Sequence, residues 1–478
     1  MTFTSLNFLF FFTIVVVLFN LIPQRVRVWF LLFASYFFYI DLMPVFAILL
    51  ALVTGCTYLF TRIIANSKSA IGKHRVLVLG IIVIISPLIF FKFFSFVNLV
   101  ITTLLFRCGL HVSLPTSSYI LPVGISFYTF MAIGYLIDVY NEDVESESNI
   151  GIVALFLAFF PIILSGPIER AGNLIPQFRK LQQTTYSDLV AGAKMVLWGY
   201  FLKLCIADRL GLYVDLIFNN IHTYNGTTLL FASVLFPFQL YADLGGYSLI
   251  AIGVARCLGI IVVPNFKRPF FATSMSEFWR RWHMSLIKWL TNYIYTPLSF
   301  GLRRWKMSGI VTALILTFII SGIWHGAELT FFVWGLLQGI YLSIEVVTLK
   351  KRSEFKQKFC LNKNPWYILI SCVWVFILFS FSQIFGRCGS IGDAFYVIGK
   401  ILNVLGKIEW LKLMPSSLGL FSLTLLLIKD FLDEYYPNRF LLFENKNIII
   451  RHLSYAFILI LILTMGVFDS GQFIYFQF

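Results

Sequence analysis

Residues 310–337 read IVTALILTFIISGIWHGAELTFFVWGLL, two apolar runs separated by a short polar break. The first run carries no charge and lacks the alternation of polar and apolar residues that is typical of a membrane β-strand. Similar uninterrupted runs recur along the chain. Because a helix satisfies its backbone hydrogen bonds within one segment, such runs predict membrane-spanning helices and an all-α fold.

The composition supports the same fold class. The 478 residues are 59% hydrophobic and 12% charged, with a mean hydropathy of +0.86. This charged share is about half that of a soluble chain. Since one crossing takes about 20 apolar residues, we predict a polytopic integral membrane protein with about 11–13 transmembrane helices plus re-entrant or interfacial helices. Soluble, disordered, coiled-coil and disulfide-scaffold classes are excluded, and the seven scattered cysteines are interpreted as free thiols.

Basic residues near the N-terminus predict the orientation. The apolar run Leu6–Leu21 has no preceding Lys or Arg and no small-residue cleavage site after it, so we interpret it as a retained span. Arg25 and Arg27 follow it, and a second basic group follows the third run, comprising Arg62, Lys68, Lys73 and Arg75. Basic loops stay on the cytoplasmic side, which places the N-terminus outside.

Residues 267–306, called the basic segment below, hold almost half of the net charge. The chain carries +15, and this segment contributes eight basic residues against the single acid Glu277. The basic residues are Lys267, Arg268, Arg280, Arg281, Lys288, Arg303, Arg304 and Lys306. Interleaved aromatic residues suit an amphipathic or re-entrant helix at the headgroup level, or a helix that only binds anionic lipid. Nucleic-acid binding is not predicted, because RNA-binding and zinc patterns are absent from the sequence.

Two of the six histidines lie in surroundings that suggest chemistry. His325 falls between two apolar runs, where an ionisable side chain is costly and is a candidate functional residue. Its imidazole suits proton transfer near neutral pH, although a buried histidine bonded to a backbone carbonyl is the structural alternative. His283 lies in the basic segment, while the other four, His74, His111, His222 and His452, are interpreted as surface residues. The spacing predicts no metal site.

A polar cluster interrupts the apolar stretch 229–261. It reads QLYADLGGYS over residues 239–248 and contains the carboxylate Asp243. A buried carboxylate is expected to pair with a cation or to face a cavity, and we consider Arg280, Arg281 or a histidine as its partner. A structural ion pair and a direct catalytic role both remain open for Asp243.

An ordered series of motifs resembles the bacterial membrane-bound O-acyltransferases, most closely the subfamily that O-acetylates alginate and other envelope polysaccharides. The matching segments are ASYFFY (34–39), LPVGISFYTF (121–130), SGPIER (165–170), IADR (206–209), QLYAD (239–243), NF (265–266), PF (269–270), EFWRRWHMSL (277–286), WHGA (324–327) and FIYFQF (473–478). One departure from the subfamily is Gln338, which stands where a later histidine is common.

The resemblance implies a catalytic His325 with His283 as its partner, inside one domain over residues 1–478. That domain would have N-terminal helices at 1–110, an acyltransferase core at about 111–347 and C-terminal helices at 364–478. It also implies a tunnel for donor or substrate, to which we assign Trp324, Gln239, Tyr241, Asp243, Ser248, Asn265, Glu277, Arg280, Arg281 and Trp282.

The resulting hypothesis is acyl transfer in the bacterial cytoplasmic (inner) membrane, with no bound cofactor. A cytoplasmic thioester donor, acetyl-CoA or another acyl thioester, would dock its phosphates on the basic segment. The acyl group would pass across the membrane to an extracytoplasmic polysaccharide, directly or through a periplasmic or extracellular acyltransferase partner. The expected contacts are this donor, the partner and membrane lipid. Alternatives are a transporter or lipid flippase, D-alanyl transfer to teichoic acid, and a noncatalytic scaffold.

Overall fold

Helices account for the regular structure, as the apolar runs predict. The computed structural model describes residues 1–109, 121–361, 364–403, 406–407, 416–437, 439 and 442–468, and every regular element within these ranges is a helix. Eight of these helices are long and apolar enough to cross a membrane, and shorter apolar helices accompany them. The chain is therefore a multi-pass membrane protein, while a total of about 11–13 crossings stays a prediction. His111 and the motif at 473–478 lie outside the described residues.

The chain divides into two compact units, and two of the three boundaries between them fall inside helices. The first unit consists of Met1–Val196 and Ala251–Val263. Its helices are α1 (Leu6–Leu21), α2 (Gln24–Leu42), α3 (Phe46–Asn66), α4 (Ala70–Arg107), α5 (Ile125–Tyr140), α6 (Ile150–Ala158), α7 (Phe160–Ile163), α8 (Ala171–Arg179) and most of α9 (Tyr186–Tyr200).

The second unit consists of Leu197–Ile250 and Pro264–Phe478. Its α-helices are α10 (Asp208–Phe218), α11 (Gly226–Arg256, of which residues 251–256 belong to the first unit), α12 (Met275–Arg281), α13 (Met284–Leu290), α14 (Thr296–Gly301), α15 (Lys306–His325), α16 (Leu329–Val347), α17 (Leu349–Lys358), α18 (Pro365–Arg387), α19 (Ile391–Asn403), α20 (Ser417–Tyr435) and α21 (Ile448–Met465). π-Helical turns at Phe201–Ala207 and Thr291–Tyr295, and short 3-10 turns at Pro269–Phe271 and Arg303–Trp305, complete it.

Charge pairs hold irregular backbone in the first unit. The stretch between α7 and α8 interrupts the apolar pattern, and Arg170 at its end donates to Asp138 on α5 at 2.7 Å. On α8, Arg179 donates to Glu147 at 2.6 Å. Both carboxylates are almost fully buried, so each arginine supplies the partner that a buried charge requires.

The α15–α16 hairpin of the second unit presents His325. A Cβ atom built on Gly322 would lie 2.3 Å from the carbonyl oxygen of Phe331, and one built on Gly335 would lie 2.3 Å from that of Phe318. Glycine at these two positions therefore permits the backbones of α15 and α16 to touch. Because α15 ends at His325 and α16 begins after a three-residue turn, this contact fixes where the imidazole leaves the helix.

Candidate active site

An apolar cavity in the second unit brings the two candidate histidines together. Its volume is about 50 Å³. Its lining residues are Phe236, Leu240, Leu244, Trp279, Trp282, His283, Leu286, His325, Phe331, Trp334, Gln383 and Gly386. They come from α11, α12, α13, α15, α16 and α18 and the turns beside these helices. Two titratable side chains in an otherwise apolar concave site are the usual mark of a catalytic or binding site.

His325 is half-buried at the last position of α15. The ring of Trp334 meets it edge to face with centroids 5.0 Å apart, and the ring of Trp324 does so at 4.6 Å. A helix C-terminus carries a partial negative charge, which can stabilise a positive charge that develops beside it during a reaction. This position therefore suits a group that must accept a proton during a reaction.

His283 occupies a strained connection between α12 and α13. Its φ is +45°, a left-handed backbone that non-glycine residues seldom adopt. The side chain is 4% exposed, and within the described residues its Nδ1 atom has no hydrogen-bond partner. Burial lowers the pKa of His283 to about 4, so the ring is neutral at physiological pH. A neutral buried imidazole in the cavity wall can donate one hydrogen bond to a bound group.

Most of the cavity wall carries no signal in the sequence. Leu240 and Leu244 are four residues apart and so lie on one face of α11, but they resemble any other leucines of an apolar helix. Trp334, Phe331 and Gln383 are equally inconspicuous before the helices are packed. Of the residues assigned to the tunnel, Trp282 lines this cavity.

Asp243 forms a buried charge cluster with a residue that the sequence analysis did not consider. Lys203 of the π-helical turn donates to Asp243 at 2.6 Å and lies 2.8 Å from Asp208. The three side chains are 1–7% exposed. Lys203 is therefore a partner of Asp243, as a structural ion pair requires. In the sequence, the signal for this cluster is Lys203 itself, because a lysine inside an apolar run needs a charged partner.

Two other members of the polar cluster on α11 have contacts outside the cavity lining. Tyr241 is buried and donates its hydroxyl to Asp430 on α20 at 3.1 Å. Gln239 is 4% exposed, and its amide nitrogen packs at the surface of Gly211 on α10. Both side chains thus connect α11 to neighbouring helices, whereas their role in a tunnel stays a prediction.

Ser248 and Asn265 contact each other next to His283. The Asn265 amide donates to the Ser248 hydroxyl at 3.0 Å, and both residues are 3% exposed. The pair lies against the backbone that carries His283. The role of the two residues in a tunnel stays a prediction.

Part of the basic segment is neutralised within the protein. Arg281 donates to Glu277 at 2.6 Å and to Glu434 of α20 at 2.9 Å, and Arg268 pairs with the same Glu434 at 2.8 Å. Burial opposes ionisation of Glu277, but hydrogen bonds from Thr273 and the charge of Arg281 lower its pKa. Glu277 and Arg281 therefore act together as a structural pair that ties α12 to α20.

The remaining cations of the basic segment face outward. Arg280 is exposed and makes a 3.3 Å contact with Ser276 one turn earlier. The other exposed cations are Lys267, Lys288, Arg303, Arg304 and Lys306. These six side chains, unlike Arg268 and Arg281, are available to an anion.

Gln338 occupies a buried position on α16. It is 0% exposed and donates to the hydroxyl of Ser382 on α18 at 2.6 Å. Ser382 in turn donates to the carbonyl of Phe379 at 2.7 Å. The glutamine at this position thus links α16 to α18, the helix that supplies Gln383 to the cavity.

The exposed histidines lie where the sequence predicted them. His74 is exposed on α4, His222 is exposed near Asp393, and His452 is exposed near the start of α21. The free cysteines within the described residues likewise agree with the sequence interpretation.

Comparison with known proteins identifies relatives for most of the chain. Residues 140–382 match the family model of the membrane-bound O-acyltransferases. A Pseudomonas aeruginosa protein named probable alginate O-acetylase is 36% identical over 72% of this chain and 66% of its own length. Its namesake in Pseudomonas syringae is 35% identical over 82% of this chain and 76% of its own length. A Helicobacter pylori peptidoglycan O-acetyltransferase is 32% identical over 74% and 71%.

We predict that Lys203→Met destabilises the protein strongly, because it removes the buried ammonium that pairs with the carboxylates of both Asp208 and Asp243. Breaking such a cluster costs about 3–5 kcal/mol. Thermal unfolding of the purified protein in detergent measures the effect. Lys351→Met removes an exposed lysine from α17 and is the matched control. Equal stability of the two variants would show that Lys203 does not hold α11 in place.

Proposed function

Because the chain belongs to the membrane-bound O-acyltransferase family and is an acyltransferase, we propose that it moves an acetyl group from a cytoplasmic thioester across the membrane to a polysaccharide. The donor is acetyl-CoA, and the acceptor is a hydroxyl of an extracytoplasmic glycan or of a partner protein that serves it. The membrane is the bacterial cytoplasmic membrane.

The observation that carries this proposal is the meeting of His283 and His325 in one apolar cavity. The two residues are 42 positions apart in sequence and sit on different helical segments. Acyl transfer to a hydroxyl needs a base for the hydroxyl proton and a hydrogen-bond donor for the oxyanion. One cavity with two imidazoles can supply both.

His325 is the base in this mechanism. Its neutral imidazole takes the hydroxyl proton as the oxygen attacks the thioester carbonyl, and the imidazolium is then favoured by the C-terminus of α15. The tetrahedral intermediate collapses with cleavage of the carbon–sulfur bond. The proton passes from His325 to the departing thiolate, so the products are an O-ester and a free thiol.

His283 stabilises the negative charge that develops on the carbonyl oxygen. Because burial keeps this ring neutral, it donates a hydrogen bond without competing with His325 for the proton. The surrounding indole, phenyl and leucine side chains make the wall apolar, and an apolar environment strengthens this hydrogen bond.

The size of the cavity favours a short acyl group. A cavity needs a volume of about 10–15 Å³ to hold one water molecule. The observed volume of about 50 Å³ thus suits a few non-hydrogen atoms, as in an acetyl group.

The exposed cations of the basic segment are proposed to bind the phosphates of the donor. Arg280 lies on α12, two residues before Trp282 of the cavity wall. When a phosphate of the donor is bound at the outer surface of α12, the thioester end of the same molecule would enter the cavity between this helix and the neighbouring wall. Membrane lipid headgroups carry the same charge and compete for this surface.

We predict that His325→Ala abolishes O-acetylation by isolated membranes at normal protein abundance. Transfer of radiolabelled acetyl from acetyl-CoA into the glycan or partner fraction is the measurement. His452→Ala, which removes an exposed histidine, should retain the wild-type rate. Persistent acetylation in His325→Ala membranes would contradict the assignment of the base, and unchanged assembly with lost acetylation would argue against a mere scaffold.

We predict that acetyl-CoA is used faster than butyryl-CoA and faster than a D-alanyl thioester, because a cavity of about 50 Å³ suits an acetyl group better than a larger one. The same membranes and the same transfer assay test this order at matched donor concentrations. Preferential use of the D-alanyl thioester would move the protein to teichoic acid modification. Equal use of butyryl-CoA would show that the cavity does not set the acyl length.

We predict that Arg280→Ala and Arg281→Ala have different consequences. Arg280 is exposed, so its loss should raise the donor KM about several-fold, with a larger effect at low salt where charges are less screened. Arg281 holds Glu277 and Glu434, so its loss should lower the unfolding temperature instead. Initial rates at two ionic strengths and thermal unfolding separate the outcomes. A salt-independent KM for Arg280→Ala would contradict phosphate docking.

A further inference from the structure

The backbone at His283 needs external support to keep its conformation. A φ of +45° with a ψ of +50° is disfavoured for a residue with a Cβ atom. Such a conformation persists where surrounding contacts determine it, and several functional sites contain one. The contacts on both sides of His283 show what supplies this support.

Asn265 binds the chain immediately after His283. Its backbone oxygen accepts from Met284 N at 2.8 Å. Its side-chain Oδ1 accepts from both the backbone nitrogen and the hydroxyl of Ser285, at 3.2 and 2.9 Å. On the other side of His283, Lys267 N donates to the carbonyl of Arg281 at 2.8 Å. The short segment 265–267 therefore holds His283 from both directions.

The other end of the Asn265 side chain is anchored on α11. Its Nδ2 donates to the hydroxyl of Ser248 at 3.0 Å. Ser248 is four residues beyond Leu244 and eight beyond Leu240, so it lies on the helical face that forms the apolar wall of the cavity. One amide thus connects the backbone of His283 to that wall.

We propose that Asn265 is a positioning residue for catalysis. It holds the His283 imidazole at a set distance from the acyl group, which lies against the wall formed by α11. It acts through Ser285 and is itself oriented by Ser248. This inference rests on the acyl-transfer function proposed above. It assigns Asn265 and Ser248 to the support of His283 rather than to a tunnel wall.

The burial of this network explains why the side chains are not interchangeable. His283, Ser285, Asn265 and Ser248 are each 3–5% exposed, so water does not replace a lost partner. An asparagine side chain offers an acceptor to Ser285 and a donor to Ser248 at the same time. A leucine of similar size offers neither, and an aspartate would bring an unpaired charge into the site.

The test measures acetyl transfer by Asn265→Ala in two backgrounds. In the wild-type background we expect kcat to fall by about 10–100-fold with little change in the donor KM, since a displacement of about 1 Å costs this much. In the His283→Ala background the same substitution should change kcat less than about twofold, because the group it positions is already absent. An equal loss in both backgrounds would overturn the proposal.

Ser248 supplies a second route if Asn265→Ala does not fold. Ser248→Ala should lower kcat, and Ser248→Thr, which keeps the hydroxyl, should restore most of it. Asn225→Ala is the matched control, because Asn225 also makes two hydrogen bonds of 2.9 Å, to Lys407 O and Thr228 N, outside the cavity lining. This control should lower stability without changing kcat. Unchanged kcat in Ser248→Ala would contradict the anchoring role.

These outcomes distinguish the inference from the function on which it rests. Wild-type rates in His283→Ala would remove His283 from the mechanism, and the positioning role of Asn265 would fail with it. A slow His283→Ala enzyme together with a fully active Asn265→Ala enzyme would overturn only the inference. Loss of transfer in His325→Ala tests the base independently of both.

Discussion

Irregular backbone inside a protein made of apolar helices must find its hydrogen-bond partners within the protein, and the active-site region depends on this constraint. The chain between α11 and α13 contains the short helix α12 and irregular backbone on both sides of it, and it carries His283. Asn265 accepts hydrogen bonds from the backbone nitrogens of Met284 and Ser285 at the end of this stretch. At the start of α12, the carboxylate of Glu345 accepts from Met275 N at 2.7 Å and Ser276 N at 2.9 Å. A carboxylate there also matches the positive end of the helix dipole.

The same constraint applies to buried charges, which divide into two groups. Lys203 with Asp243, and Arg281 with Glu434, satisfy each other and join helices that are distant in sequence. Arg280 and the other outward cations are exposed and remain available to a solvent-borne anion. The excess positive charge of the basic segment therefore has both a structural and a surface component.

The backbone positions the two histidines in different ways, and this difference suits their different chemical tasks. His325 ends a long helix whose packing on α16 is set by glycine contacts, so both its position and its local field come from regular structure. His283 lies on strained backbone, and its position depends on a few hydrogen bonds from Asn265. Substitutions near His325 should mostly affect packing, whereas those near His283 should mostly affect alignment.

The sequence by itself determined the helical class, the spans near α15 and α16 and the two histidines, because apolar runs and polar residues within them are local signals. The family motifs implied that His283 and His325 act together. Only the tertiary structure decided that Lys203 neutralises Asp243 and that Leu240 helps to form the cavity wall. The physical reason is that neither pairing nor cavity lining follows from periodicity within one helix: both depend on which faces of separate helices meet.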